Sequence, residues 1–190
     1  MFDVAVLCCT PASVYKSLAV DCFDVHRDAF SYSGWRPVVA HPPCRSWGRL
    51  RHLAKPLPAE RALAIHAVRQ VRRCGGVLEH PAGSLLWDGL PEFGAYPLPA
   101  VGAGVDAFGG FSMTLYQSDF GHPAPKHTVL YVVGHPRPGE LCKAFRAGEL
   151  CKSVGRAGGL RKVTNQPAAR RMDTPPAFAE WLCSLALECV

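Results

Sequence analysis

Short apolar runs alternate with segments of helical pattern along the first half of the chain, and this alternation limits the possible folds. DVAVLCC at residues 3–9, VDCFDV at 20–25 and VVA at 38–40 have the composition of buried strands. A brief helix is predicted at 12–18, between the first two runs. Strands that alternate with helices are typical of a parallel sheet with crossover connections, so we predict an α/β fold.

The rest of the chain extends this pattern. Residues 58–74 have the apolar spacing of a helix that is ended by two glycines, and a strand is predicted at 76–79. Two β-rich runs at 111–120 and 127–134 flank a short turn, which predicts a paired-strand segment near 111–134. After the sequence DTPP, an amphipathic helix is predicted from residue 177 to the C-terminus.

Length and composition predict a single domain that covers residues 1–190. The chain is 48% hydrophobic and 19% charged, as in ordinary globular proteins. Residues 135–172 form a short basic insert that contains glycine. The N-terminus lacks the pattern of a signal peptide, and no apolar run has membrane-spanning length, so we expect a cytoplasmic protein without a membrane partner.

The cysteines and histidines give no metal-binding pattern. The chain has nine cysteines, an odd number, and we expect free thiols in a reducing compartment. No pair of cysteines has CxxC spacing, and neither HxH nor HExxH occurs. We therefore predict no metal site, and a metal-dependent hydrolase is disfavoured.

The formal net charge is +6, and this charge favours an anionic partner such as a nucleotide or a nucleic acid. From charge alone, a solvated basic face is an equally good interpretation. The basic residues concentrate in three groups: Arg45, Arg49, Arg51 and Lys55; Arg69, Arg72 and Arg73; and the stretch 143–171.

Polar side chains follow two successive predicted strands. The strand at 38–40 leads into His41, two prolines and Cys44, and the strand at 76–79 ends in Glu79 and His80 before another proline. Prolines stop a strand because they lack an N–H group, so Cys44 is expected on a stiff turn. Ligands of open α/β sheets bind at the carboxyl ends of the strands. Each of these residues also has a structural interpretation, as a cap, an ion-pair partner or a turn former.

Four segments, in order, resemble the carbon-5 cytosine methyltransferases, specifically the short, divergent methylase-like proteins of bacteriophages. Cys44 in HPPC matches the family's Pro-Cys nucleophile motif, and Glu79 in LEHP matches its Glu-Asn-Pro/Val motif. Residues 117–131, which include FGHP and KHT, resemble a segment of the phage relatives. RMDTPPAFAEWL, from Arg171, resembles their last segment. A phage protein of this type would act in the cytoplasm of a bacterial host.

The resemblance implies a Rossmann-like, methyltransferase-type sheet with helices on both faces, and a covalent mechanism. Cys44 would add to carbon 6 of a pyrimidine, with its pKa lowered by neighbouring cations such as Arg45. Glu79, protonated or sharing a proton, would hydrogen-bond the ring nitrogen and the exocyclic amino group. Further substrate-binding candidates lie in the same motifs: His41, Pro43, Arg45, His80, Lys126 and Thr128.

S-adenosylmethionine is the cofactor that the resemblance implies. Asp24, which ends the second predicted strand, matches the acidic residue that holds the cofactor's ribose hydroxyls. The family's glycine-rich turn after the first strand is replaced here by VLCCTPASVYKS, which has no glycine.

The relatives of full length carry a large target-recognition region, and here only the short basic insert stands in its place. Few side chains are then available to read base edges, so action on a nucleotide, or on DNA with little sequence preference, is expected. The alternative is a catalytically degenerate phage protein that kept the methylase frame and binds a nucleotide or DNA for regulation or counter-defence. The missing glycine turn favours this binding protein, whereas the presence of both Cys44 and Glu79 favours the enzyme.

Overall fold

A six-stranded sheet forms the centre of the molecule. The computed structural model describes residues 3–49, 51–94, 96–146 and 173–189. Its strands are β1 (Ala5–Leu7), β2 (Asp21–Phe23), β3 (Val38–Ala40), β4 (Gly76–Pro81), β5 (Gly110–Tyr116) and β6 (His127–Val133). They are ordered β2-β1-β3-β4-β6-β5, and the first four in this order pair in parallel. The predicted α/β class with a mostly parallel sheet is confirmed.

The predicted strand pair near 111–134 is also confirmed, as β5 and β6. These two strands pair antiparallel, with Met113 opposite Leu130. β6 also pairs antiparallel with β4, so it lies between β4 and β5. β1 and β2 are shorter than predicted, and β1 ends where Cys8 takes a left-handed backbone conformation with φ of 64°.

Three α-helices are described: α1 (Glu60–Cys74), α2 (Pro138–Arg146) and α3 (Pro176–Leu187). α1 packs on β3 and β4 from one face of the sheet, and α3 packs on the same strands from the other face. Helices on both faces were predicted; α1 lies within its predicted range, and α3 begins one residue before its predicted start. The predicted helix at 12–18 is a single 3₁₀ turn, Val14–Ser17.

Two hydrophobic clusters, one on each face of the sheet, form the core. Successive side chains of a strand point to opposite faces. In β4, Val77 joins the cluster under α3, and Leu78 joins the cluster under α1. Because both faces are covered, the strands are apolar without alternation, as their sequences indicated.

The two glycines after α1 are required by the backbone. Gly75 ends the helix with φ of 76°, a left-handed conformation that favours glycine. A Cβ on Gly76 would lie 2.1 Å from the carbonyl oxygen of Val38, where a side chain has no space. These glycines let the chain leave α1 and enter β4 directly beside β3.

Within the predicted basic insert at 135–172, the structure describes residues 135–146, which include α2, and residues 147–172 lie outside the described residues. The same holds for Arg171, which begins the last of the four resembling segments. Among the described residues, no helix is long and apolar enough to span a membrane.

Candidate functional site

The segment that links β3 to α1 brings Cys44 to the carboxyl edge of the sheet. Ala40 pairs with Leu78, so the next residue, His41, lies beside Glu79 of β4. Two prolines then stop β3, and the carbonyl of Cys44 accepts the N–H groups of Trp47 at 3.0 Å and Gly48 at 2.8 Å. This turn holds Cys44 at the same edge as Glu79, as the sequence predicted.

Glu79 is the centre of a buried set of hydrogen bonds, which we call the Glu79 network. The Nδ1 of His41 donates to Oε2 of Glu79 at 2.9 Å. The other ring nitrogen of His41 lies 2.8 Å from the hydroxyl of Tyr15. Oε1 of Glu79 accepts from Nε2 of Gln117 at 3.0 Å and from the hydroxyl of Thr128 at 3.2 Å. Both carboxylate oxygens of Glu79 are therefore held by protein groups.

The Glu79 network keeps its carboxylate ionised. Burial, the largest influence, raises the pKa of Glu79, but the hydrogen bond and charge of His41, with the charge of Lys126, bring it down to about 2. A singly protonated His41 must carry its proton on Nδ1 in order to donate to this carboxylate. The expectation of a protonated Glu79 is therefore wrong, and the ionised carboxylate accepts the Nδ1–H group of His41 as a hydrogen bond.

Cys44 has a raised pKa, so the expectation of a lowered pKa is wrong. Burial contributes most, and the negative charge of Glu79 adds to it, whereas the charges of Lys126 and Arg45 act in the opposite direction. Arg45 is drawn away from the thiol because its guanidinium pairs with the carboxylate of Glu60 at the start of α1. At neutral pH the sulfur of Cys44 therefore keeps its proton.

Lys126 supplies the positive charge of the site. Its backbone is left-handed, with φ of 37°, and its side chain is half-buried. Its charge lowers the pKa values of both Cys44 and Glu79, so the ammonium group lies near both. It has no ion-pair partner within the described ranges, which leaves this ammonium group for an anionic or carbonyl oxygen.

Two predicted substrate-binding residues have other positions. Thr128 is buried, and its hydroxyl holds Glu79, so its role here is to position that carboxylate. His80 is fully buried on the opposite face of β4 from Glu79, beside the ring of Trp87. Burial lowers the pKa of His80 to about 4, so the ring is neutral and belongs to the core. The structure therefore separates His80 from the Glu79 network.

Pro43 is half-buried between His41 and Cys44. Its carbonyl, like that of Pro42, lies near the ring of His80 and favours its protonated form. The carbonyl of Pro43 therefore lies on the side of the sheet that carries His80, although Pro43 directly precedes Cys44.

Asp24, the predicted ribose-binding residue, directly follows β2. One carboxylate oxygen accepts from Nζ of Lys16 at 2.6 Å, and the other accepts the backbone N–H groups of His26 and Arg27 at 2.8 and 3.1 Å. The bond from Lys16, followed by that from His26, lowers the pKa of Asp24 to about 2. The carboxylate is therefore ionised and already engaged on both oxygens.

The residues near Asp24 differ from those that the resemblance leads us to expect at an S-adenosylmethionine site. Both oxygens of Asp24 already accept hydrogen bonds from the chain, two at one oxygen and one at the other, which leaves few acceptor positions for ribose hydroxyls. In the turn after β1, the left-handed position, which favours glycine, is occupied by Cys8.

Sequence reasoning missed two members of the Glu79 network, Tyr15 and Gln117. Gln117 is the first residue of the segment 117–131 that resembles the phage relatives, so this resemblance could have identified Gln117 as a site residue. Tyr15 lies in the predicted helix 12–18, and no motif there indicates a functional role. In the part of the chain that the structure describes, no group of three or more His, Cys, Asp or Glu residues is arranged to hold a metal ion.

Comparisons of the chain with protein-family models, with curated proteins and with solved structures give no match. A function for this chain is therefore inferred from the residues of the site alone.

Proposed function

We propose that this chain modifies a pyrimidine at carbon 5, with Cys44 as the nucleophile that adds to carbon 6. The substrate is a nucleotide, or DNA with little sequence preference. One observation carries the proposal: the thiol of Cys44 lies at the carboxyl edge of the sheet, under the influence of the Glu79 carboxylate and the Lys126 ammonium. The mostly parallel sheet, the β5–β6 pair and α3 support a Rossmann-like, methyltransferase-type fold.

Because its pKa is raised, Cys44 is a protonated thiol in the free protein, and this proton must be transferred when sulfur adds to the ring. As sulfur bonds to carbon 6, the S–H bond breaks, and negative charge develops on the ring nitrogen next to the exocyclic group. The thiol proton is transferred to that nitrogen, so no charge is left on the adduct, and the negative charge of Glu79 favours the protonated ring nitrogen. His41 steadies the carboxylate during the transfer, and Lys126 binds the base carbonyl or a phosphate.

The addition itself needs no one-carbon donor. Carbon 5 of the adduct is nucleophilic, and it can take a proton from solvent before Cys44 leaves. The original carbon-5 proton is then lost to solvent, and the C–S bond breaks as the proton on the ring nitrogen returns to sulfur. This sequence releases a pyrimidine whose carbon-5 hydrogen has been exchanged. Exchange at carbon 5 therefore tests the proposed role of Cys44 without any assumption about the donor.

The experiment measures deuterium incorporation at carbon 5 in D₂O by mass spectrometry, with deoxycytidine and deoxyuridine monophosphates and with single-stranded DNA. We expect the natural chain to exchange at least one of these, and Cys44→Ala to lose exchange while it still binds the substrate. Cys74→Ser is the matched control because this half-buried thiol, whose pKa burial also raises, lies at the far end of α1. Exchange that survives in Cys44→Ala would remove covalent addition from the mechanism.

Binding without catalysis is the second candidate. The engaged carboxylate of Asp24 and the protonated thiol of Cys44 favour it, because a binding protein needs neither a cofactor nor a thiolate. Measurable binding of a nucleotide or DNA strand without exchange at carbon 5 would show that the chain is a binding protein. The same samples therefore distinguish the two functions.

A further inference from the structure

A cavity of about 290 Å³ lies beside the C-terminal half of α1, apart from the site that contains Cys44. Arginines of α1 and aromatic side chains of the loop before β5 line it. α1 begins at Glu60, which pairs with Arg45, the residue that follows Cys44 in the sequence. The C-terminal half of α1 therefore lies toward the other end of the sheet. A helix of 15 residues is about 22 Å long, which places the cavity well away from Cys44.

One wall of the cavity presents two exposed aromatic rings. Tyr96 is 54% exposed and Phe108 is 39% exposed, and their ring centroids lie 5.5 Å apart in an edge-to-face arrangement. The buried ring of Phe93 also lines the cavity. Aromatic faces that remain open in a concave site are suited to stack against a flat ligand.

Arg72 is a fixed cation within this cavity. It donates to the hydroxyl of Tyr131 at 3.1 Å and to the carbonyl of Tyr96 at 2.8 Å, and its guanidinium lies 4.4 Å from the ring centroid of Phe108. Tyr131 in turn donates to Asp106 at 2.7 Å, and Asp106 accepts the backbone N–H of Phe108 at 2.9 Å. The arginine and the aromatic wall are therefore held in place before any ligand arrives.

The rim of the cavity is positively charged. Arg69 is exposed and forms no ion pair with any residue that the structure describes. Arg73 uses its guanidinium to bind the carbonyl of Gly34. Glu92, the acidic residue of the lining, is paired with Arg61 of α1 at 3.2 Å. Arg69 is therefore the group placed to receive an anion.

We propose that this cavity binds a nucleotide unit, with the base in contact with both Phe108 and Tyr96 and the phosphate at Arg69. A flat ring that carries an anionic group matches the combination of aromatic faces and guanidinium. The unit belongs to a free nucleotide or to a single strand, because bases in a duplex have no open face. This inference concerns a second site and does not depend on the chemistry of Cys44.

The test measures binding of a fluorescent single-stranded 12-mer of thymidine and of thymidine monophosphate to the full chain. We expect Phe108→Ala and Arg69→Gln each to weaken binding about 5- to 100-fold. The matched controls are Phe30→Ala, an exposed ring outside the cavity, and Arg137→Gln, an exposed arginine of another surface; both are expected to bind as the natural chain does.

Photo-crosslinking then locates the base. A 12-mer and a mononucleotide that carry 5-iodouracil are irradiated with the natural chain and with Cys44→Ala, and the crosslinked residue is identified by mass spectrometry. Crosslinks at Tyr96 or Phe108 in both proteins support the site, and the stronger binder of the two probes identifies its natural form. Inorganic phosphate that competes as well as the nucleotide, or unchanged affinity in Phe108→Ala, would overturn the proposal.

Discussion

Individual residues of the site are defined by their buried hydrogen bonds more than by their neighbours in sequence. Arg45 follows Cys44 directly and pairs with Glu60, yet Lys126, distant in sequence, lowers the pKa of the thiol more than Arg45 does. Glu79 is ionised because His41, Gln117 and Thr128 surround its two oxygens with donors. These contacts have consequences for stability that can be measured as a function of pH.

Glu79 is expected to make the folded state sensitive to acid. Its pKa of about 2 lies below its ordinary value of 4.5, so the unfolded chain binds the proton first as pH falls. The stability it contributes is complete above pH 4.5 and is lost toward pH 2, by up to about 3 kcal/mol. In urea unfolding at several pH values, Glu79→Gln should remove this part of the pH dependence. An unchanged profile would contradict the ionised network.

His80 is expected to act in a different range of pH. Its pKa falls from 6.5 to about 4 on folding, so the unfolded state again takes up the proton first. Stability should therefore decrease between pH 6.5 and pH 4, by up to about 3 kcal/mol. His80→Leu should flatten the unfolding free energy across this range, whereas the exposed His52→Gln should not. A natural chain equally stable at both pH values would show that His80 is not buried as a neutral ring.

The Glu79 network also predicts that Gln117 positions the carboxylate without touching the substrate. Gln117→Ala removes one donor to Glu79 and leaves the thiol of Cys44 in place. We expect carbon-5 exchange to slow about 10-fold with little change in nucleotide affinity. Gln117→Glu places a second carboxyl group beside Glu79 and should slow exchange further. A loss of affinity equal to the loss of rate would mean that Gln117 contacts the substrate.

Helices and strands set the positions of both sites. α1 touches the first site through Glu60 and the second through Arg72, so one rigid element fixes the separation between them. α3 covers the face of the sheet on which the Glu79 network lies. The packing of α3 is therefore expected to determine the stability of that face.

Two leucines of α3 test this packing. Leu182 is fully buried under the sheet, whereas Leu187 of the same helix is 48% exposed. Leu182→Ala leaves a cavity and should lower the free energy of unfolding by about 2–5 kcal/mol. Leu187→Ala should change it by less than about 1 kcal/mol. Similar losses in chemical denaturation would show that α3 does not pack on the sheet through Leu182.

At the scale of the whole molecule, the net charge of +6 favours anionic partners, and the structure distinguishes paired from unpaired cations. Arg27 and Arg36 both pair with Asp21. Arg51 and Lys55, in the segment after the Cys44 turn, are exposed and form no ion pair with a described residue. We therefore expect Arg51 and Lys55 to contribute more to contacts with phosphates than Arg27 and Arg36 do.

The salt dependence of binding tests this expectation. For a single strand that contacts both Arg51 and Lys55, the double change Arg51→Gln and Lys55→Gln should lower the log-log slope of affinity against salt by about 1.4. The matched double change Arg27→Gln and Arg36→Gln should leave the slope unaltered. A mononucleotide should show a shallow slope throughout. Tight, salt-resistant binding to one duplex sequence would instead indicate sequence-specific recognition.

The sequence by itself determined the class of fold and the edge at which the candidate site lies. Apolar runs followed by prolines predicted that Cys44 and Glu79 would come at the ends of neighbouring parallel strands. β3 ends before the prolines as predicted, whereas β4 continues through Glu79 to Pro81, which pairs with Thr128 of β6. The tertiary structure alone decided the partners: Tyr15 and Gln117 reach the site from segments far away in sequence, and Arg45 turns to Glu60. Charge state and hydrogen bonding depend on burial and on such distant contacts, which no local pattern encodes.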